Sequence, residues 1–120
     1  MSQLFANNAK STLASAIAST DTTLTLASGQ GALFPALSGA DYFLATLVGL
    51  TAGAETSWEV VKVTARSADA LTVTRAQEST TAGAWVSGTA IELRWTAGAA
   101  QLATNLVAST TFTSQFFGGF

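Results

Sequence analysis

Apolar and polar residues alternate with a period of two in several short stretches of the chain, a pattern typical of half-buried β-strands. It is present in residues 21–26, where Leu24 and Leu26 are separated by threonine, and in residues 89–95. Residues 42–48 form the most continuously apolar of these stretches. Because turn-forming Gly, Ser and Thr residues separate the stretches, the pattern predicts a small antiparallel β-sandwich or barrel.

A β-hairpin over residues 57–75 is the firmest local prediction. Residues 58–64 are rich in valine, residues 71–75 alternate cleanly, and Arg66–Ala70 between them has the composition of a short turn. The apolar stretch 42–48 is then expected to pair in antiparallel fashion with residues 58–64.

The two ends of the chain differ from this pattern. Residues 1–20 are ambiguous, because Leu13 and Ile17 have helical spacing while the same stretch also alternates like a strand. Residues 97–108 are expected to form a short helix, and residues 109–120 an extended aromatic arm. The predicted organisation is therefore an N-terminal segment 1–20, a β domain 21–96, the helix and the arm.

The composition of the chain indicates that it associates with other protein chains. Hydrophobic residues make up 48% of the 120-residue chain and charged residues only 10%, against roughly a quarter in typical domains. The longest apolar stretch, 42–50, is far short of the roughly 20 residues of a membrane-spanning helix. Residues 1–5 lack the basic start of a secretory signal. We therefore expect a protein assembly, without membrane insertion, to cover part of the surface.

The titratable residues argue against catalysis and against nucleic-acid binding. The chain has no His and no Cys, so the common nucleophile–base and transition-metal constellations are excluded. Its seven carboxylates occur without the pairing that acid–base hydrolysis requires, and its net charge is −2 with the five cations scattered.

Ser28–Gly31 superficially resembles a phosphate loop but lacks the Lys and the following helix, so a β-turn is the better interpretation. No catalytic residue, metal or cofactor is predicted.

Arg75 and Arg94 are expected to form intramolecular surface pairs with nearby Glu78 and Glu92, with pairs across an interface as the alternative.

Aromatic residues are the candidates for partner contacts. Trp58 and Trp95 lie in alternating strands and are predicted in the core, while Trp85 lies in a loop and is the candidate for an exposed contact. Stacking on sugars is the alternative role for the tryptophans. The arm is expected to add to the sheet of a neighbour. The predicted partner interface is thus Trp85, Phe112, Phe116, Phe117 and Phe120.

Four segments together resemble a small β-rich module that is common in virion proteins of tailed bacteriophages. The resemblance extends over roughly residues 5–96 and is carried by residues 22–35, 59–66, 71–78 and 91–94. In that family the module often opens tail-fibre proteins, where it is thought to attach the fibre to the tail, and it also occurs as a short free-standing chain. Family members often carry glycine where this chain has Ala76 and Ser79, so the resemblance implies a differently built turn after Arg75.

The resulting hypothesis is a non-enzymatic bacteriophage virion protein of the tail-fibre or tail-attachment type. It would form a homo-oligomer, with a trimer expected, and dock to neighbouring virion proteins of the tail or capsid. The first alternative is a capsid decoration protein, and the second is a module that binds host glycans.

Overall fold

The computed structural model describes residues 3–94 and Thr96, and this part of the chain is mainly β. The strands are β1 (Lys10–Thr12), β2 (Thr23–Thr25), β3 (Phe43–Thr51), β4 (Ala54–Ser67), β5 (Ala70–Gln77) and β6 (Ala90–Glu92). One turn of 3₁₀ helix, Gln30–Leu33, follows β2. The predicted fold class is confirmed in this part of the chain.

The six strands form one antiparallel sheet that curls into a half-barrel, in the order β1-β6-β3-β4-β5-β2. The two edge strands meet through a bridge between Leu13 and Leu26. There the amide of Ala14 donates to the carbonyl of Thr25 at 2.8 Å, and the amide of Ala27 donates to the carbonyl of Thr12 at 3.0 Å. Since unpaired strand edges invite association, this contact protects part of both edges.

Both predicted strand pairings are confirmed. β4 and β5 form the hairpin expected over 57–75, and β3 pairs with β4 from Phe43↔Val63 to Thr51↔Ala54. The ambiguous N-terminal segment contains a strand, β1, which pairs with β6. The expected helix 97–108 and the arm 109–120 lie outside the described residues.

The core lies inside the curl of the sheet. β3 contributes Phe43, Ala45 and Leu47, and its remaining side chains as far as Val48 are buried on the other face of the sheet. Burial on both faces explains why residues 43–48 have few polar positions. The other buried residues of the core cluster are Ala9, Leu13, Ile17, Leu24, Leu26, Phe34, Val61, Val63, Leu71, Val73 and Ile91.

The Asp69 carboxylate ties the loop after β2 to the β4–β5 turn. It accepts hydrogen bonds from the amides of Gly29 (3.0 Å) and Gly31 (2.9 Å). These two amides lower the pKa of Asp69, Gly29 having the larger effect. Because the protein's own carboxylate occupies both amides, they are not available to a phosphate, in agreement with the interpretation of Ser28–Gly31 as a turn.

The turn after Arg75 has an unusual backbone. Ala76 and Ser79 have φ angles of +56° and +66°, in the left-handed region that favours glycine. The turn therefore has a backbone conformation that suits glycine, although non-glycine residues occupy it.

Candidate functional site at one end of the half-barrel

A buried glutamate organises the end of the half-barrel near the β3–β4 turn. The side chain of Glu59 is fully buried. Residues two apart on a strand share a face, so Glu59 lies on the inner face with Val61 and Val63, and Arg75 of β5 follows Leu71 and Val73 in the same way. The alternation of both strands therefore brings the two charges together inside the sheet.

Arg75 and Glu59 form a two-pronged ion pair. Arg75 Nε and Nη2 donate to the two carboxylate oxygens of Glu59 at 2.7 and 2.9 Å. The remaining guanidinium hydrogens are donated to backbone carbonyls, those of Ala18 (2.7 Å), Asp21 (2.8 Å) and Gly83 (2.6 Å). One arginine thus connects β4 and β5 to the loop before β2 and to the loop after β5.

Three further donors complete the shell of Glu59. They are the indole N–H of Trp85 at 2.8 Å and the amides of Gly83 at 3.0 Å and Ala76 at 3.1 Å. Burial of Glu59 raises its pKa, but the bonds from Arg75, Trp85, Gly83 and Ala76 outweigh burial and lower that pKa to about 2. Glu59 is therefore a structural hydrogen-bond acceptor that stays charged near neutral pH, where it is unsuited to proton transfer.

Trp85 is held in place by both its backbone and its ring. Its amide and carbonyl form a two-bond bridge with Ile17, and its ring packs against the core cluster. A Cβ added to Gly49 would come within 3.1 Å of this ring and 2.1 Å of Ser57 Oγ, so a larger residue at that position of β3 would require both side chains to move.

A second, more exposed charge cluster lies on the neighbouring part of β4. The β3–β4 register shifts between Gly49↔Ser57 and Leu50↔Glu55, which makes Thr56 the extra residue of a bulge. Glu55 accepts two hydrogen bonds from Arg94, at 3.0 and 2.8 Å, and one from Trp58 Nε1 at 2.8 Å. These bonds, that of Arg94 first, lower the pKa of Glu55 to about 2.

Two surface clefts flank the Trp85 loop. The first, of about 360 Å³, is lined by Val48, Gly49, Leu50 and residues 84–90. Leu50 and Val86 on its rim are exceptionally exposed, at 61% and 72%. We call this pair the apolar rim. The second cleft, of about 630 Å³, lies between Trp58 and residues 79–85, and we call it the Trp58 cleft.

Some of the aromatic residues singled out from the sequence lie in the described structure, and the others lie outside it. Trp85 lies between the two clefts, but it is partly buried and bonded to Glu59. Trp58, expected in the core, is instead 48% exposed, and it lies on the opposite face of β4 from Val61 and Val63. Trp95 and the four phenylalanines of the predicted interface, Phe112, Phe116, Phe117 and Phe120, lie outside the described residues.

The ion pair of Arg75 differs from the expectation, and that of Arg94 agrees with it in part. Arg75 pairs with buried Glu59 rather than with Glu78, so its pair is internal. Arg94 pairs with Glu92, as expected, at 3.3 Å, and more closely with Glu55 at 2.8 Å. The sequence analysis did not identify Glu59, although its spacing of two residues from Val61 and four from Val63 places all three on one face of the strand.

Among residues 3–94 and 96, no group of three or more His, Cys, Asp or Glu side chains is placed to hold a metal ion. No helix within the same residues has the length and apolar character needed to cross a membrane. No protein-family model matches the chain, and no curated protein matches it in sequence.

Proposed function

We propose that this chain is a structural protein of a bacteriophage particle, of the tail-fibre or tail-attachment type. It acts by contact, through homo-oligomerisation and docking to neighbouring virion proteins, with a trimer as the expected oligomer. The apolar rim is the observation that carries the proposal, because the exposed aliphatic side chains of Leu50 and Val86 line the same cleft.

The charge balance of the chain supports association through this rim. Only 10% of its residues are charged, so there is little charged surface to keep copies apart. Contiguous exposed apolar surface is typical of protein–protein contact sites, whereas single scattered apolar residues are not informative. The rim is therefore the surface of the described chain that we expect a second copy to cover.

The hydrogen bonds that the carboxylates accept within the chain support a structural role over a catalytic one. The oxygens of Glu59 accept five hydrogen bonds, and those of Glu55 accept three. Asp69 holds two backbone amides. These three acidic side chains maintain the fold and the loops rather than face a reacting group.

The resemblance to the tailed-phage module supports placing this protein in a virion. The left-handed φ angles at Ala76 and Ser79 agree with the frequent glycines of that module. This agreement concerns the backbone of one turn, and the placement in a particle is tested separately.

Quantitative mass spectrometry of purified particles of the phage that encodes this chain tests the proposal. We expect the chain in the particle at a copy number of a few dozen or fewer, as for a tail component. A copy number in the hundreds would instead favour the capsid decoration role. Absence of the chain from intact particles would contradict both structural roles.

A further inference from the structure

We propose that the Trp58 cleft is a binding site for a neutral saccharide. This inference goes beyond the structural role, and it does not depend on where in a particle the protein is located.

The lining of the cleft has the right chemical character for such a ligand. The cleft has a volume of about 630 Å³ and is lined by Ser57, Trp58 and residues 79–85. This set contains two indole rings and four hydroxyl side chains and no charged residue. A site without charge favours a neutral ligand over a phosphate or an acidic sugar.

The ring of Trp58 is both accessible and oriented. The residue is 48% exposed, and its Nε1 donates to Glu55 at 2.8 Å. Glu55 is in turn held by two hydrogen bonds from Arg94. The indole is therefore fixed before a ligand arrives, which reduces the entropy lost on binding.

Unused hydroxyls line the same cleft. Within the described part of the chain, Ser57, Ser79 and Thr81 make no side-chain hydrogen bond, whereas Thr80 bonds to Gln77 and Val60. Each free hydroxyl supplies one donor and two acceptor positions. They are available to the hydroxyl groups of a ligand.

A saccharide matches this combination of groups. A pyranose ring has an apolar face of C–H groups that stacks on an aromatic ring, and a rim of hydroxyls that exchange hydrogen bonds with serine and threonine. A protein partner would use the exposed indole as an anchor in a larger apolar contact. In the Trp58 cleft three hydroxyls without another partner accompany the two indoles, and no large aliphatic side chain among the described residues lines it, so we favour the sugar.

Binding of the full chain to an array of neutral hexose and N-acetylhexosamine oligosaccharides, with sialylated counterparts included, tests this proposal. We expect at least one neutral oligosaccharide to bind, and titration calorimetry with that compound then compares variants. Trp58→Ala should weaken binding by about tenfold or more, because it removes the stacking surface. Thr81→Val, which keeps the shape of the side chain, should weaken binding several-fold.

Leu33→Ala is the matched control, since Leu33 is exposed and lines neither cleft. It should leave the affinity unchanged. Circular dichroism should show all variants folded, because the substituted side chains lie at the surface. Failure of every neutral oligosaccharide to bind at millimolar concentration would overturn the proposal. So would binding of sialylated compounds alone, or an unchanged affinity in Trp58→Ala.

Discussion

Arg75 and Glu59 form an ion pair through two hydrogen bonds, of 2.7 and 2.9 Å, with both side chains almost completely buried. The pair is surrounded by backbone carbonyls and N–H groups that satisfy the remaining polar atoms. Among the described residues, no buried side-chain nitrogen or oxygen lacks a hydrogen-bond partner. The pair therefore holds the Trp85 loop, and with it both clefts, in position.

Replacing Glu59 with glutamine should destabilise the protein strongly. Glu59→Gln keeps the side-chain volume but leaves the Arg75 guanidinium buried without a counter-charge. Breaking such a pair costs roughly 3–5 kcal/mol, a large part of the stability of an ordinary domain. Urea unfolding followed by circular dichroism measures this loss in the free energy of unfolding.

Glu92→Gln is the control for this experiment, because the Glu92 side chain is 27% exposed and contacts Arg94 at 3.3 Å. A surface pair of this kind contributes at most about 1 kcal/mol. Equal losses in the two variants would mean that the buried pair is not the main connection between β4, β5 and the loops.

The stability of the protein should fall in acid, with Glu59 as one cause. The pKa of Glu59 is about 2 in the folded chain, against an ordinary value of 4.5. Its contribution is therefore present above pH 4.5 and is lost as the pH falls toward 2. The free energy of unfolding should decrease less steeply over this interval in Glu59→Gln than in the unmodified protein. Parallel pH curves for the two proteins would exclude Glu59 as a source of the dependence.

Gly31 should tolerate no side chain, because of the backbone next to it. A Cβ at this position would lie 1.9 Å from the carbonyl oxygen of Ala68 in the β4–β5 turn. Gly31→Ala must push the loop away from Asp69, at a cost of roughly 1–3 kcal/mol or more. A Cβ on Gly83 would have its nearest contact at 3.7 Å, so Gly83→Ala should be nearly neutral. Thermal unfolding compares the two, and similar melting temperatures would contradict the close approach.

Removal of residues 109–120 should weaken assembly. Four phenylalanines in this segment are expected from the sequence to contact a neighbouring chain. The truncated protein should show a smaller oligomer by light scattering and reduced incorporation into particles. A normal oligomer that is incorporated at the usual level would remove the proposed role of the arm.

The sheet could be predicted from the sequence because its long strands are apolar or alternating stretches separated by short turns. The hairpin of β4 and β5 follows from the alternation of β5 and a short turn, and the pairing of β3 with β4 follows from the apolar stretch 42–48. The N-terminal strand β1 could not be decided, because a three-residue strand that pairs with distant β6 leaves little local signal.

Less of the candidate site could be predicted from the sequence. Glu59 lies an even number of residues from Val61 and Val63 and therefore on the same face of β4, but a charged residue in a strand is ordinarily assigned to the solvent face. Its burial depends on Arg75, 16 positions away, and on loop donors that the strand pattern does not contain. Trp58 lies on the opposite face of β4, where Val60 and Val48, the cross-strand partner of Trp58, are buried but Trp58 is not, so strand alternation alone could not decide its burial.

The oligomeric state in solution tests the central claim of this account most directly. Size-exclusion chromatography with light scattering should show a homo-oligomer at micromolar concentration for the unmodified chain. A double variant with Leu50→Asp and Val86→Asp should be a folded monomer, because charge on the apolar rim opposes burial of that surface. Leu33→Asp, at a 49% exposed position away from the rim, should leave the oligomer intact. A monodisperse monomer for the unmodified chain, or an oligomer that persists in the double variant, would contradict the claim.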